Sequence, residues 1–211
     1  KYEEVIIFAD KTLAINNRST EARENRIESF LKLDRRKDAY DELKILSDIY
    51  TDLGYLDKAR DAYTLMVDLM PDDPLPRQKL VTLYTLTNNH EEQISALRGL
   101  AELFVKLDRT EEAVESYKAI LDVKPDDTRA RMRYIDLYAR IGPEMELVDD
   151  YLKLIEIFCK HGARAEATRI YEKLAQISPY DPEIKEKFIK YLVSNGEDHR
   201  AFEEMLSLST I

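Results

Sequence analysis

A stretch of eighteen residues, Leu56 to Asp73 (LDKARDAYTLMVDLMPDD), recurs as TEEAVESYKAILDVKPDD from Thr110 and as ARAEATRIYEKLAQISPYD from Ala163. Each copy carries a small alanine (Ala59, Ala113, Ala167), a tyrosine four residues later (Tyr63, Tyr117, Tyr171) and a proline twelve residues after the alanine (Pro71, Pro125, Pro179). The three markers stand 54 residues apart both times. A fixed period of this length is the mark of a repeat array, in which each unit buries its apolar face against the next. The expectation is one continuous domain over 1–211, with units near 38–91, 92–145 and 146–199 and partial units at both ends. The exposed-looking Val5, Ile6 and Phe8 at one end and the interrupted unit from Ala201 to Ile211 at the other read as a piece of a longer array.

Laid beneath one another at this offset, the segments need no insertion, and each unit contains three helices. The first helices are predicted over about 37–53, 91–107 and 144–161. Their apolar residues, such as Leu43, Leu46, Ile49 and Tyr50, or Leu97, Leu100, Leu103 and Phe104, recur at spacings of three and four, which puts them on one stripe. The second helices, about 56–70, 110–123 and 164–177, carry the alanine and tyrosine markers. Alanine lets a neighbouring helix approach, and the tyrosine one turn on fills the space beside it. The third helices are predicted over about 19–33, 74–87, 127–141 and 181–195. Gly54, Asp108 and Gly162 end the first helices, and Asp34, Asn88, Gly142 and Gly196 the third, at positions suited to a left-handed terminal residue. The prolines stop the second helices, and the DD, DD and YD pairs after them supply N-caps. No segment alternates with period two, so the class is all-α.

Composition agrees. Five glycines, 44% apolar and 35% charged residues fit long amphipathic helices and are too apolar for a disordered chain. A formal charge of −10 opposes binding to a phosphate backbone, so nucleic acid is not an expected partner. No run approaches the roughly 20 apolar residues that span a bilayer. A soluble, cytoplasmic protein without membrane insertion is the expectation.

The residues Leu43, Leu46, Tyr50, Gly54, Ala59, Tyr63 and Pro71, repeated as Leu97, Leu100, Phe104, Ala113, Tyr117 and Pro125 and again as Tyr151, Leu154, Phe158, Gly162, Ala167, Tyr171 and Pro179, resemble the tetratricopeptide repeat. That family repeats about every 34 residues, whereas here a third helix is interposed. Ser47, Ala101 and Ile155 stand where the family has glycine early in the pair, and tryptophan is absent. The resemblance implies a right-handed α-solenoid of about 12 antiparallel helices, a concave face that binds a protein or peptide, and no catalysis or cofactor. One subgroup of the family clamps a terminal carboxylate with lysine and asparagine. The matching positions here are Lys44, Arg98 and Leu152, and Asp48, Glu102 and Glu156; the acids would repel a carboxylate, which excludes that specificity.

The candidate partner-binding residues are therefore Lys44, Asp48, Arg98, Glu102, Lys106 and Glu156. Asp48, Glu102 and Glu156 share one register and, by family analogy, face the groove as an acidic ladder suited to a basic partner. The alternative reading is solvated helix charges paired with nearby lysine or arginine. Tyr63, Tyr117 and Tyr171 are read as core rather than as base-stacking platforms. Cys159 and His161 lie two apart on one helix, so they point in different directions and do not form a nucleophile with its base. His90 and His199 fall in turns and offer no zinc set. Arg35, Arg36 and Lys37 are read as a solvated turn. Three functions remain: a noncatalytic binding scaffold, a self-associating assembly module, and an enzyme with Cys159 as its nucleophile.

Overall fold

The structure, a computed structural model, describes residues 1–209; Thr210 and Ile211, the end of the interrupted unit from Ala201, lie outside the described residues. It contains twelve α-helices among the described residues and no strand: α1 (Tyr2–Ile15), α2 (Thr20–Lys32), α3 (Arg36–Asp52), α4 (Leu56–Leu69), α5 (Leu75–Leu86), α6 (His90–Lys106), α7 (Thr110–Val123), α8 (Thr128–Tyr138), α9 (Val148–Lys160), α10 (Arg164–Ile177), α11 (Pro182–Ser194) and α12 (Asp198–Leu208). A 3-10 turn, Glu144–Leu147, leads into α9. The contacts divide the chain into two compact units, Lys1–Ser116 and the residues from Tyr117 onward.

In the first unit each of α1 to α5 packs on the helix that follows it. Its core joins Leu43, Leu46 and Tyr50 of α3 with Ala59, Tyr63 and Met66 of α4 and Leu80 and Leu83 of α5. Ala59 is wholly buried, which is what a close approach of α4 to its neighbours requires. In the second unit α8 packs on α9, α9 on α10, α10 on α11 and α11 on α12. Leu147, Tyr151, Leu154, Tyr171, Leu174, Phe188 and Leu192 form its core, with the rings of Tyr171 and Phe188 stacked 5.0 Å apart.

The helix ends follow from local chemistry. Ser19, Asp127 and Asp181 accept bonds from the first-turn amides of α2, α8 and α11 at 2.9–3.3 Å, and Asp73 accepts from Leu75 N at 2.9 Å. Asp34, Gly54, Asn88, Asp108, Gly162 and Gly196 all adopt positive φ. After each of them, an amide returns to a carbonyl five residues back, as in Tyr55 N to Tyr50 O at 2.9 Å and Arg109 N to Phe104 O at 2.9 Å. This satisfies carbonyls that the helix end leaves open.

Three expectations need correction. His90 and His199 do not fall in turns: His90 opens α6 and His199 lies in the first turn of α12. Gly142 is not a left-handed cap: Pro143 follows it, and the residue before a proline is driven toward extended backbone. The helix accordingly stops at Tyr138, short of the predicted 141, and α9 starts late behind its 3-10 turn. The glycine serves a close approach instead, since a Cβ there would lie 2.5 Å from Cε1 of Tyr138. At the N-terminal end Ile6 is not exposed but packs with Phe30 and Ala39, and Val5 is half-buried; of these three expected residues Phe8 alone faces solvent.

Candidate functional site

Two grooves at equivalent places in the repeat, one within each compact unit, draw on a first, a second and a third helix. In the first unit Asp48 and Thr51 of α3 face Lys79 and Leu83 of α5 across a space of about 380 Å3, with Tyr63 of α4 on its floor. In the second unit Glu156 and Cys159 of α9 and Lys187 of α11 line a space of about 680 Å3, with Tyr171 of α10 on its floor. Each of the four pairs Asp48 and Glu156, Thr51 and Cys159, Tyr63 and Tyr171, and Lys79 and Lys187 is separated by two periods of the repeat. One acid, one lysine and one tyrosine thus recur in both grooves because the sequence register repeats.

The charges are arranged differently in the two. Lys79 Nζ reaches Asp48 Oδ1 at 3.2 Å across the first groove. In the second, Glu156 is paired along its own helix with Lys160 at 2.8 Å, and Lys187 with Glu183 at 2.7 Å. The bond from Lys160 holds the Glu156 carboxyl below the ordinary carboxylate range. All four second-groove charges are exposed, so these pairs exchange readily with solvent or a partner and contribute little to stability.

The marker tyrosines do more than fill the core. Tyr63 lies within 3.3 Å of Thr51 Oγ1 through its hydroxyl while its ring is buried. Tyr171 is likewise buried, and desolvation pushes its pKa up to about 12. Each therefore borders a groove with a buried, packed ring.

The remaining candidates are scattered. Lys44 is exposed one turn before Asp48 and makes no ion pair among the described residues. Glu102 is exposed and Arg98 half-buried on α6, and Lys106 pairs with Asp72 at 2.5 Å. The six are not brought into one cluster. Sequence reasoning did not identify Lys79 and Lys187, although their register is visible, because it assigned binding to the first helices alone.

Cys159 is an exposed residue whose thiol is partly desolvated, which raises its pKa above the ordinary value. His161, at the end of α9, places Nδ1 2.8 Å from the Ile157 carbonyl of its own helix. A thiol whose pKa is raised by desolvation carries little thiolate at neutral pH. Alkylation of Cys159 by iodoacetamide at pH 7.5 is therefore expected to run at least a few-fold slower than that of N-acetylcysteine; a rate tenfold faster would establish an activated nucleophile instead. Among the described residues no group of three His, Cys, Asp or Glu side chains is placed to hold a metal ion, and no helix is long and apolar enough to cross a membrane.

A second recurring arrangement escaped the sequence reading. Arg23 on α2, Arg77 on α5 and Arg131 on α8 stand 54 residues apart. Each donates to the carbonyl of the equivalent residue after the preceding helix: Asn17 at 2.6 Å, Pro71 at 2.7 Å and Pro125 at 2.6 Å. Arg23 and Arg131 are buried and also bond to acids on the following first helix, Glu42 and Asp150. The signal was available in the register as arginine at 23, 77 and 131.

Residues 96–131 match the family model described as tetratricopeptide repeat. Among solved structures, the chain is similar to the C-terminal part of a TPR repeat-containing protein from Cytophaga hutchinsonii, at 16% identity over 96% of this chain and 94% of that one, with a TM-score of 0.37. It is similar to a MamA protein at 18% identity over 77% of this chain and 94% of that one, with a TM-score of 0.36. A tetratricopeptide repeat protein from Parabacteroides merdae gives 20% identity over 99% of this chain and 79% of that one, with a TM-score of 0.30. No curated protein sequence matches the chain at a significant level.

Proposed function

We propose that this chain, which carries a tetratricopeptide repeat at residues 96–131, is a noncatalytic protein-binding module that receives peptide segments of a basic partner in its two repeat-equivalent grooves. The observation that carries the reading is the recurrence of the same side chains in both: an exposed acid, a lysine across from it and a buried tyrosine floor. Helical repeats bind through surfaces of this kind, with apolar floors giving contact area and rim charges giving orientation and association rate. A lysine or arginine of the partner would displace Lys79 from Asp48 and Lys160 from Glu156, exchanging one exposed ion pair for another. The enthalpic change of such an exchange is small, so affinity would come from the tyrosine floor and specificity from the acids.

Selection of phage-displayed dodecapeptides on the purified protein tests this. Peptides enriched in lysine and arginine are expected, with affinity falling as salt is raised from low to physiological ionic strength. The triple variant D48K/E102K/E156K should lose at least tenfold in affinity, about 1.4 kcal/mol, for the same peptides while keeping its helical circular dichroism. Unchanged affinity and unchanged salt dependence in that variant would overturn the reading.

A further inference from the structure

The middle copy of the buried-arginine arrangement lacks its acid. Where α3 carries Glu42 and α9 carries Asp150, α6 carries Ala96, and where they carry Ile45 and Lys153, α6 carries Gly99. These two small residues, three apart on one helix, open a pocket of about 230 Å3 between α4, α5 and α6. Arg77 lines it and has no carboxylate partner among the described residues; its one hydrogen bond runs to the Pro71 carbonyl. Gly99 leaves the guanidinium open, since even an added Cβ would only reach van der Waals contact, 4.0 Å from Arg77 Nε. Val67, Leu80 and Tyr84 give the pocket apolar walls.

We infer that this pocket binds an acidic side chain, glutamate or aspartate, of a partner polypeptide, which takes the place that Glu42 and Asp150 fill from within the chain in the other two copies. Pocket and carboxylate are complementary in charge and shape. In those copies the same arginine, held by the same carbonyl, meets a carboxylate from the following first helix. A guanidinium presents several donors in a fixed fork, and one carbonyl uses only part of that capacity. The space left by Ala96 and Gly99 adjoins the unused donors, and its apolar walls suit the methylene stem of a glutamate. Glu92 also lines the pocket but is exposed and makes no ion pair with Arg77; it disfavours dianions and leaves room for a single carboxylate. The inference goes beyond the groove reading and does not depend on it, because Asp48, Lys79, Glu156 and Lys187 are absent from this pocket.

The test uses the whole protein and a terminally blocked heptapeptide bearing one central glutamate between leucines, read by NMR at the Arg77 Nε–Hε resonance. Saturable movement in the range of about 1–10 mM is expected, with the glutamine version of the peptide at least tenfold weaker. Ala96→Glu should restore the internal pair, raise Tm and weaken peptide binding at least tenfold. Gly99→Ile, which installs the residue α3 carries at this place, should block binding by filling the pocket without adding charge. Equal response to the glutamate and glutamine peptides, acetate binding as tightly as the peptide, or full binding by both variants would each overturn the inference. Because D48K/E102K/E156K leaves the pocket untouched, failure of either reading is visible without the other.

Discussion

Replacing Glu42 with alanine is expected to destabilise the Lys1–Ser116 unit by about 3–5 kcal/mol, measured as the shift in urea unfolding followed by circular dichroism. Glu42 is buried, with 6% of its side chain accessible, and it bonds to Arg23, itself at 9%, and to Arg26 at 3.1 Å. Removing the carboxylate leaves the Arg23 guanidinium with the Asn17 carbonyl as its one remaining acceptor, in surroundings that solvate a cation poorly. Removing both charges together, as Arg23→Met with Glu42→Leu, is expected to cost much less than Glu42→Ala alone, because no buried ion is then left unpaired. Arg77→Met should cost only about 1 kcal/mol, the scale of one hydrogen bond, since Arg77 is half-exposed and has no acid to abandon. A loss below about 1 kcal/mol for Glu42→Ala would show that water reaches the pair and that its burial is not what holds α2 to α3.

Leu174→Ala is expected to cost about 3 kcal/mol, the usual scale for truncating a fully buried leucine. Leu174 has no accessible surface and lies on α10 within the cluster that joins Tyr151, Leu154, Phe188 and Leu192. Its loss combines the transfer free energy of the removed carbons with the cost of a cavity that packed helices close only in part. Leu206→Ala on α12, where 54% of the residue is accessible, should change stability by less than about 0.5 kcal/mol. Equal effects from the two substitutions would mean that α10 does not occupy the centre of this core.

The helices were legible because their causes are local. Apolar spacing in α3, α6 and α9, proline after α4, α7 and α10, and aspartate or glycine at the turns act within one or two helical turns, so they can be read without knowing what packs on what. Gly142 shows the same logic misapplied: position equated it with Asp34 and Asn88, but the adjacent Pro143 controls its backbone, and only the structure revealed its contact with Tyr138. Of the candidate site, Asp48 and Glu156 were found by register, and the structure set them opposite Lys79 and Lys187. Those lysines were equally periodic. What periodicity lacks is the direction of each side chain across a gap between helices that are not adjacent in sequence.

The amino-acid sequence by itself determined the class, the order of the helices and most of their bounds, and the identity of the residues that recur every 54 positions, because hydrophobic period, capping and backbone preference are short-range effects. Tertiary structure alone decided which recurring charges meet. Arg23 and Arg131 find Glu42 and Asp150 and are buried, whereas Arg77 faces the space left by Ala96 and Gly99. The physical reason is that an arginine's role depends on the dielectric and the partner around its guanidinium, and both are set by helices brought together from other parts of the chain.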